Sequence, residues 1–302
     1  FRLILFFACF LCLQISSDSL QNNTLNNHGV IGLINVPSAR FYNEAVYGIS
    51  IYSGEPDQKI TLTSYPFNWL EASFFYTNIK DKPYCNQVND PVCNQDYKDK
   101  GFNLKLRLKE EGIWPALAIG INDIAGTGLY SSEYIVGSYG LNRTDILFGL
   151  GWGNLNGSSK SIKNPFSYID ESFLERPSGF EDEGGQFQPS RYFSGKTASP
   201  FFGISHVLNE KIIVKIEYDT TLTPGMIGFK EPKEDFSLGL DFRVTNNFSI
   251  GLSSERGNTP TIKFVYKNNP KTSKPKYEYK KSEYNDRDDK YVKFIQVNKN
   301  YE

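Results

Sequence analysis

Alternation of apolar and polar residues is the dominant pattern along this chain, and it is clearest between Gly101 and Gly153. In the run FNLKLRLK, which starts at Phe102, apolar residues occupy the even positions and polar residues the odd ones. This period of two is typical of a β-strand with one apolar face and one wet face. The residues from Thr144 to Trp152 repeat it. The segment therefore predicts amphipathic strands.

Applied to the whole chain, the same test predicts about twelve strands. They cover residues 46–52, 58–64, 69–78, 101–109, 115–123, 130–139, 143–152, 199–207, 211–219, 236–243, 248–255 and 260–267. One residue breaks the pattern, because Asp123 has the parity of the apolar Leu117 and Ile119. We expect it at a strand end or in a β-bulge.

Connection lengths depend on which end of the strands they join. Connections after even-numbered strands are tight, as in YPFN at 65–68 and TNN at 245–247, whereas 79–100, 153–198 and 220–235 are long and polar. This segregation is typical of a bacterial outer-membrane barrel, whereas a soluble β-sandwich has no reason for it. The expected fold class is all-β. It is an antiparallel transmembrane β-barrel of about twelve strands, with long extracellular loops and short periplasmic turns.

Aromatic residues at the strand ends agree with a barrel that crosses two membrane interfaces. Those at the short-turn end are Tyr65, Phe67, Trp69, Trp114 and Tyr139, and those toward the other end are Tyr52, Tyr76, Trp152 and Tyr218. Closure is expected because unpaired backbone groups at a sheet edge are costly in lipid.

Charged residues on the polar strand faces are expected to line the lumen. They are Glu71, Lys105, Arg107, Arg143, Asp145, Lys215, Glu217, Asp241, Arg243, Glu255 and Lys263. A barrel of about twelve strands is wider than one filled by its side chains alone and narrower than a porin. Two interpretations stay open. The charges form a salt-bridged network that stiffens the barrel, or a polar path for a hydrophilic cargo such as a sugar.

The chain outside the barrel predicts three further segments. Arg2 and the apolar run after it have the form of a secretory signal peptide, and lipidation at Cys9 or Cys12 stays open. The expected order is a signal peptide at 1–19, an N-terminal periplasmic segment at 20–44, the barrel at 45–268 and a charged periplasmic linker at 269–302 that is the truncated start of a further region.

Cys85 and Cys93 lie in the first long loop and are expected to form a disulfide, as suits an exported protein. We expect no metal site, because His28 and His206 are far from these cysteines in the sequence, and no cofactor.

A net charge of −1 suggests no nucleic-acid partner. After the N-terminus there is no apolar run long enough for a membrane-spanning helix.

Known catalytic motifs are absent from the sequence, including G-x-S-x-G, H-E-x-x-H and the phosphate-binding loop. The carboxylates of Glu217 and Asp219 share one strand face and can in principle serve glycoside hydrolysis. Two carboxylates on one strand face are more often simply solvated. We therefore expect a protein that is not an enzyme.

Several sequence blocks carry a family resemblance over roughly residues 29–270. They are GLINVPSARF at 32–41, YPFNWLEASFFYT at 65–77, DKGFNLKLRL at 99–108, PALAIGINDIAGTGLYSSEYIVGS at 115–138, GLGWGNLNG at 149–157, IEYD at 216–219 and SSERGNT at 253–259. They resemble the YjbH family of outer-membrane exopolysaccharide biosynthesis proteins, related to a group 4 capsule component. Full members are longer and carry a second barrel.

The resemblance implies an outer-membrane barrel of a Gram-negative bacterium that acts in exopolysaccharide or capsule production or export. Its expected partners are outer-membrane lipid, the exopolysaccharide and periplasmic secretion components. The alternatives are a general diffusion porin, a structural or adhesive surface barrel without a glycan role, and a periplasmic β-sandwich.

Overall fold

The computed structural model describes residues 24–84, 95–178, 185, 187–222, 224, 232–272, 278–280 and 295–297. The expected signal peptide at 1–19 and the expected disulfide between Cys85 and Cys93 lie outside these residues. Both stay predictions.

Twelve antiparallel strands form the wall of a closed barrel. They are β1 (Tyr47–Ser53), β2 (Asp57–Phe67), β3 (Leu70–Pro83), β4 (Asp96–Lys109), β5 (Ala116–Ile124), β6 (Ser132–Leu141), β7 (Thr144–Gly153), β8 (Thr197–Val207), β9 (Ile212–Tyr218), β10 (Phe236–Arg243), β11 (Phe248–Glu255) and β12 (Thr259–Asn268). Each strand pairs with the next, and β12 closes the ring on β1 from Ile262↔Ser53 to Asn268↔Tyr47. The predicted barrel is confirmed, and a sandwich of two sheets is excluded.

The two faces of this wall differ in polarity. On β2, Lys59, Thr61 and Thr63 point inward and are buried, whereas Ile60 and Leu62 point outward and are each 50% exposed. The same outward exposure recurs around the ring at Ile51, Phe102, Phe148, Phe202, Ile216, Leu238 and Leu252. An apolar exterior around a polar interior is the distribution that a barrel in lipid requires.

The three longest connections, 84–95, 154–196 and 219–235, all join strand ends at one end of the barrel, called here the long-loop end. The opposite end, called the short-turn end, has only tight turns and connections such as 142–143 and 244–247. The 154–196 connection contains the two-residue strand Ile162–Lys163 and the 3₁₀ turns Pro165–Tyr168, Glu171–Leu174 and Pro189–Arg191. In the described part of the chain, no helix is long and apolar enough to cross a membrane.

Asp123 lies in a β-bulge, one of the two positions that its parity predicted. Phe102 pairs with Ile124 and Leu104 pairs with Ile121, so two residues of β5 oppose one residue of β4. Asp123 takes a φ of 58°, and its buried side chain points inward. In a regular strand the parity of Asp123 would place its carboxylate on the apolar outer face. The extra residue in the bulge turns it to the polar inner face instead.

The aromatic residues differ in part from the two expected outer girdles. Phe67, Trp69 and Trp114 are exposed at the short-turn end, as expected. Tyr65 points into the barrel instead, because it shares the parity of the inward-facing threonines of β2, and Tyr52 also points inward. Trp152 is fully buried beneath Phe166 and Phe193 of the 154–196 connection.

Residues 24–42 lie inside the barrel, and we call this segment the plug. All of its residues except His28 and Arg40 are buried. The expectation that 20–44 is a periplasmic segment outside the barrel is therefore corrected for this part of it. The physical reason is its apolar run from Val30 to Val36, which needs burial and finds it in a lumen of this width.

A closed barrel of this kind predicts heat-modifiable migration on a denaturing gel. In detergent without boiling, we expect the protein to keep its closed sheet and run at a different apparent mass from the boiled sample, because breaking a closed hydrogen-bonded ring is strongly cooperative. Identical migration with and without boiling would contradict a closed barrel.

Candidate functional site

The plug folds as a compact unit with its own hydrogen bonds. Thr24–Leu25 pairs antiparallel with Ile31–Gly32. The turn between them is held by Asn26, whose carboxamide oxygen accepts from the backbone N–H groups of His28 and Val30. Gly29 takes a φ of 80° in this turn, a conformation that favours glycine. The segment thus satisfies much of its backbone locally before it meets the wall.

Two buried glutamates of the wall accept hydrogen bonds from the plug backbone. Glu217 on β9 accepts from Ile34 N–H at 2.9 Å and from Asn35 N–H at 2.7 Å. Glu71 on β3 accepts from Ile31 N–H at 3.2 Å. Hydrogen bonds to a charged partner contribute about 1.5–3 kcal/mol each, more than neutral ones. The two carboxylates therefore bind peptide N–H groups that would otherwise be buried without a partner.

Three buried lysines make the complementary contacts with plug carbonyl oxygens. Lys105 on β4 donates to the carbonyl oxygens of Ile31, Ser38 and Arg40 at 3.3, 3.2 and 2.9 Å. Lys215 on β9 donates to Leu33 O at 3.0 Å, and Lys263 on β12 donates to Leu25 O at 2.6 Å. Acidic and basic side chains from opposite parts of the ring thus bind one peptide backbone.

The same charges also pair with each other. Lys105 lies 3.0 Å from a carboxylate oxygen of Glu71, and Lys215 lies 2.6 Å from one of Asp241. A buried ion pair needs additional hydrogen bonds to offset the cost of removing both ions from water. The plug backbone supplies those bonds.

At the long-loop end, two asparagines of the plug, Asn27 and Asn35, bind the wall; we call this end of the plug its tip. Asn35 donates to the carboxylates of Asp219 and Glu255 at 2.8 and 3.0 Å. Asn27 donates to Glu255 at 2.7 Å, and Tyr52 donates to the same carboxylate at 3.1 Å. Glu255 therefore joins two parts of the plug to the wall.

Cationic side chains hold the base of the plug at the short-turn end. Arg40 Nε donates to Asp145 at 3.0 Å, and its guanidinium also pairs with Glu111. The ring of Phe41 has Arg107 at 4.7 Å from its centroid. Such cation–π contacts are typical of a desolvated aromatic ring beside a cation.

The structure thus brings together seven of the residues expected to line the lumen: Glu71, Lys105, Asp145, Lys215, Glu217, Glu255 and Lys263 all contact the plug through hydrogen bonds or ion pairs. Asp241 contacts it through Lys215. Arg107 and Arg243 are half-buried, and Arg143 is exposed and donates to Leu208 O. These three arginines lie at the short-turn end.

Sequence reasoning missed the plug side chains that pair with these charges, namely Asn27, Asn35 and Arg40. A signal was present. The apolar run after Gly29 is too short to cross a membrane and does not alternate, so it required burial by another part of the chain.

The 154–196 connection is fixed to the long-loop end of the wall. Arg176 binds the fully buried Glu133 of β6 with both terminal nitrogens, at 2.7 and 2.9 Å. Asn164 donates to the carbonyl oxygens of Phe173, Phe193 and Gly195 and accepts from Trp152. The described part of this connection therefore covers the ends of β6–β8.

Beside that cover, a small polar crevice opens above the tip of the plug; we call it the mouth crevice. Its lining includes Asn27, Tyr52, Asp57, Asp219, Thr221 and Arg256. Amides, carboxylates, a phenol, a hydroxyl and a guanidinium together offer both donors and acceptors of hydrogen bonds. These groups can therefore form hydrogen bonds with hydroxyl groups at this end of the barrel.

Comparison with known proteins identifies the family. A family model described as exopolysaccharide biosynthesis protein YbjH matches residues 24–299, from the first residue of the plug through the whole barrel. The chain belongs to the YjbH family. An Escherichia coli K12 relative of this YjbH chain, named uncharacterized lipoprotein YjbH, is 33% identical over 255 residues, which cover 83% of this chain and 36% of the relative. The chain thus spans about a third of that relative's length.

Two solved porin structures superpose loosely on this YjbH-family chain. The KdgM porin superposes with a TM-score of 0.39 and 6% identity, and the NanC porin with a TM-score of 0.34 and 8% identity. Both cover 74% of this chain and 97% of the porin chain. These similarities are loose, and the fold rests on the strand pairing described above.

We expect the loss of one partner of the buried Lys105–Glu71 ion pair to lower the stability of the barrel strongly. Glu71→Gln leaves Lys105 without its counter-charge, so we expect the free energy of unfolding to fall by about 3 kcal/mol. The matched control is Glu110→Gln, which breaks the exposed pair with Arg107 and is expected to cost less than about 1 kcal/mol. Urea titration of the lipid-folded protein, followed by tryptophan fluorescence, measures both. Equal effects would contradict the role given to Glu71.

The surroundings of His28 predict that the plug binds the barrel wall less tightly at acidic pH. His28 is only half-buried by exposed surface, but its ring lies inside the barrel, and this loss of water lowers its pKa. The neighbouring cations Lys59 and Lys263 lower the pKa further, despite the carboxylates of Asp57 and Glu255 near the same crevice. The docked plug therefore binds fewer protons than a plug in water, so docking weakens as pH falls below about 6.5.

The measurement is hydrogen exchange of the amides of residues 24–42, corrected for the intrinsic rate, at about pH 7.5 and about pH 5.5, on either side of the ordinary histidine pKa. We expect faster exchange in acid. His28→Asn should remove this acceleration, and a variant that keeps it would show that another group is responsible.

Proposed function

We propose that this chain is an outer-membrane barrel that takes part in exopolysaccharide production or export without catalysing a reaction. The observation that carries the proposal is the combination of an apolar exterior with a lumen filled by residues 24–42, in a chain of the YjbH family. Exposed apolar side chains that encircle a protein need a non-aqueous environment. The outer membrane is the bacterial membrane in which such barrels occur.

In this proposal the long-loop end faces the cell exterior and the short-turn end faces the periplasm, as in other barrels of this class. β12 ends at Asn268 at the short-turn end, so in this proposal the chain leaves the barrel on the periplasmic side, where secretion components would meet it. Exopolysaccharide is contacted at the long-loop end, where the mouth crevice offers donors and acceptors for sugar hydroxyls.

A general diffusion porin is the less favoured alternative. Such a pore requires a water-filled lumen, whereas here Lys105, Lys215 and Glu217 are fully buried against the plug. The charges that could have formed a polar path are occupied by peptide groups. We therefore place the contact with glycan at the mouth rather than along an open lumen.

The test of the function is deletion of the gene in its source bacterium, scored for cell-surface and secreted exopolysaccharide. We expect a loss of exopolysaccharide that the wild-type gene restores. Unchanged exopolysaccharide in the deletion strain would remove the proposed role. Outer-membrane fractionation of the complemented strain checks the location.

Substitution in the mouth crevice tests the contact with glycan. Arg256→Gln removes a charged donor from the crevice, and we expect about tenfold weaker binding of the purified exopolysaccharide, the loss of one charge-assisted hydrogen bond. Arg143→Gln at the short-turn end is the matched control and should bind like the wild type. A heat-modifiable band checks that both variants fold. Equal binding by the two variants would exclude the mouth crevice.

A further inference from the structure

In the hydrogen bonds between the plug and the wall, at least one of the two partners is a side chain. Among the described residues, no backbone–backbone hydrogen bond joins residues 24–42 to a barrel strand, and the plug's own backbone bonds stay within it. Each wall strand, in contrast, pairs with a strand on both sides. Departure of the plug would therefore leave the hydrogen bonds of the closed sheet intact.

The plug also forms one unit through hydrogen bonds of its own. Its two short strands and the bonds Asn27 N–H to Ile34 O and Ser38 N–H to Ile31 O hold it together without the wall. Its connection to β1 is at the short-turn end, where Ala45 N–H donates to Tyr65 O. This link fixes the end of the plug that leads into β1, and among the described residues the rest of the plug has no backbone–backbone hydrogen bond to the wall.

The wall groups that bind the plug are ones that water can also bind. Lys105, Lys215 and Lys263 donate to carbonyl oxygens, and Glu71 and Glu217 accept from N–H groups. Most of these contacts are with the peptide backbone, so water can replace them once the plug leaves. Hydration of the exposed charges then offsets part of the cost of losing the apolar contacts of the plug.

We propose that the barrel interior is a binding site for a polypeptide hairpin, that residues 24–42 are its dissociable ligand, and that the barrel is a channel closed by this segment. The plug leaves toward the short-turn end, where it is tethered, and opens a hydrated lumen of mixed charge. This proposal rests on the membrane barrel proposed above.

A disulfide lock tests it in the full-length protein. A Cβ built on Gly239 of β10 lies 3.1 Å from Ile34 Cγ1 in the plug, so Ile34→Cys with Gly239→Cys places two thiols within bonding reach after a small adjustment. The matched control pair is Ser253→Cys with Thr261→Cys. These residues face each other on β11 and β12, so their disulfide joins two wall strands only.

The readout is single-channel current in planar bilayers under applied voltage. We expect the wild type to be closed most of the time with transient openings. The oxidised lock should lower the open probability by more than about tenfold, and a reductant should restore it. The control pair should behave as the wild type in both redox states. As a second variant, Glu217→Gln weakens the hold on Ile34 and Asn35 and should raise the open probability.

Openings that persist with the lock disulfide verified by mass spectrometry would overturn the proposal. So would a wild type and a Glu217→Gln variant that both insert into the bilayer, run as heat-modifiable bands and never open. A protein without a heat-modifiable band in the outer-membrane fraction would instead overturn the membrane barrel itself. The two failures are therefore distinguishable.

Discussion

A charge buried in a protein interior must have a partner, and this requirement ties the wall of the barrel to its contents. Lys105 illustrates it, because its ammonium group contacts the carboxylate of Glu71 and three carbonyl oxygens of the plug. Neither the ion pair nor the peptide contacts alone would satisfy all the donors and acceptors involved. The lumen of this barrel is therefore complementary to a folded peptide backbone.

Outward residues face an apolar environment and inward residues face the lumen. The two sets alternate along each strand because a strand has a period of two. Outward positions such as Leu62 and Leu238 are apolar and exposed, whereas inward positions of the same strands carry threonine, lysine or aspartate. The inward groups do not form a continuous apolar core. Apolar contacts in the lumen join the plug to the wall in one cluster, in which Leu25, Ile31 and Val36 of the plug lie with inward residues such as Tyr134 and Phe201.

The two ends of the barrel are closed by different contacts. At the short-turn end the plug is held by Arg40 with Asp145 and Glu111, together with cations beside Phe41. At the long-loop end the tip of the plug meets Asp219 and Glu255, and the 154–196 connection is anchored beside it by Arg176 on Glu133. The match to the YjbH family covers the plug and wall together, so both belong to the region that the family shares.

Much of the fold was predictable from the sequence because strand alternation is a local property of the backbone. It located the twelve strands, the long-loop end, the bulge at Asp123 and the parity of the inward charges. The inward direction of Tyr65 could also have been found, since it follows from the parity of β2.

The location of the plug was not predictable in this way. The peptide groups that bind Lys105 and Glu217 lie about 65 to 183 positions away along the chain. Alternation along a strand does not indicate which distant segment of the chain will fill the closed lumen. The sequence by itself determined that inward charges exist and need partners. Only the closed tertiary structure decided that those partners are the backbone of residues 24–42, because the lumen comes into existence only when β12 pairs with β1.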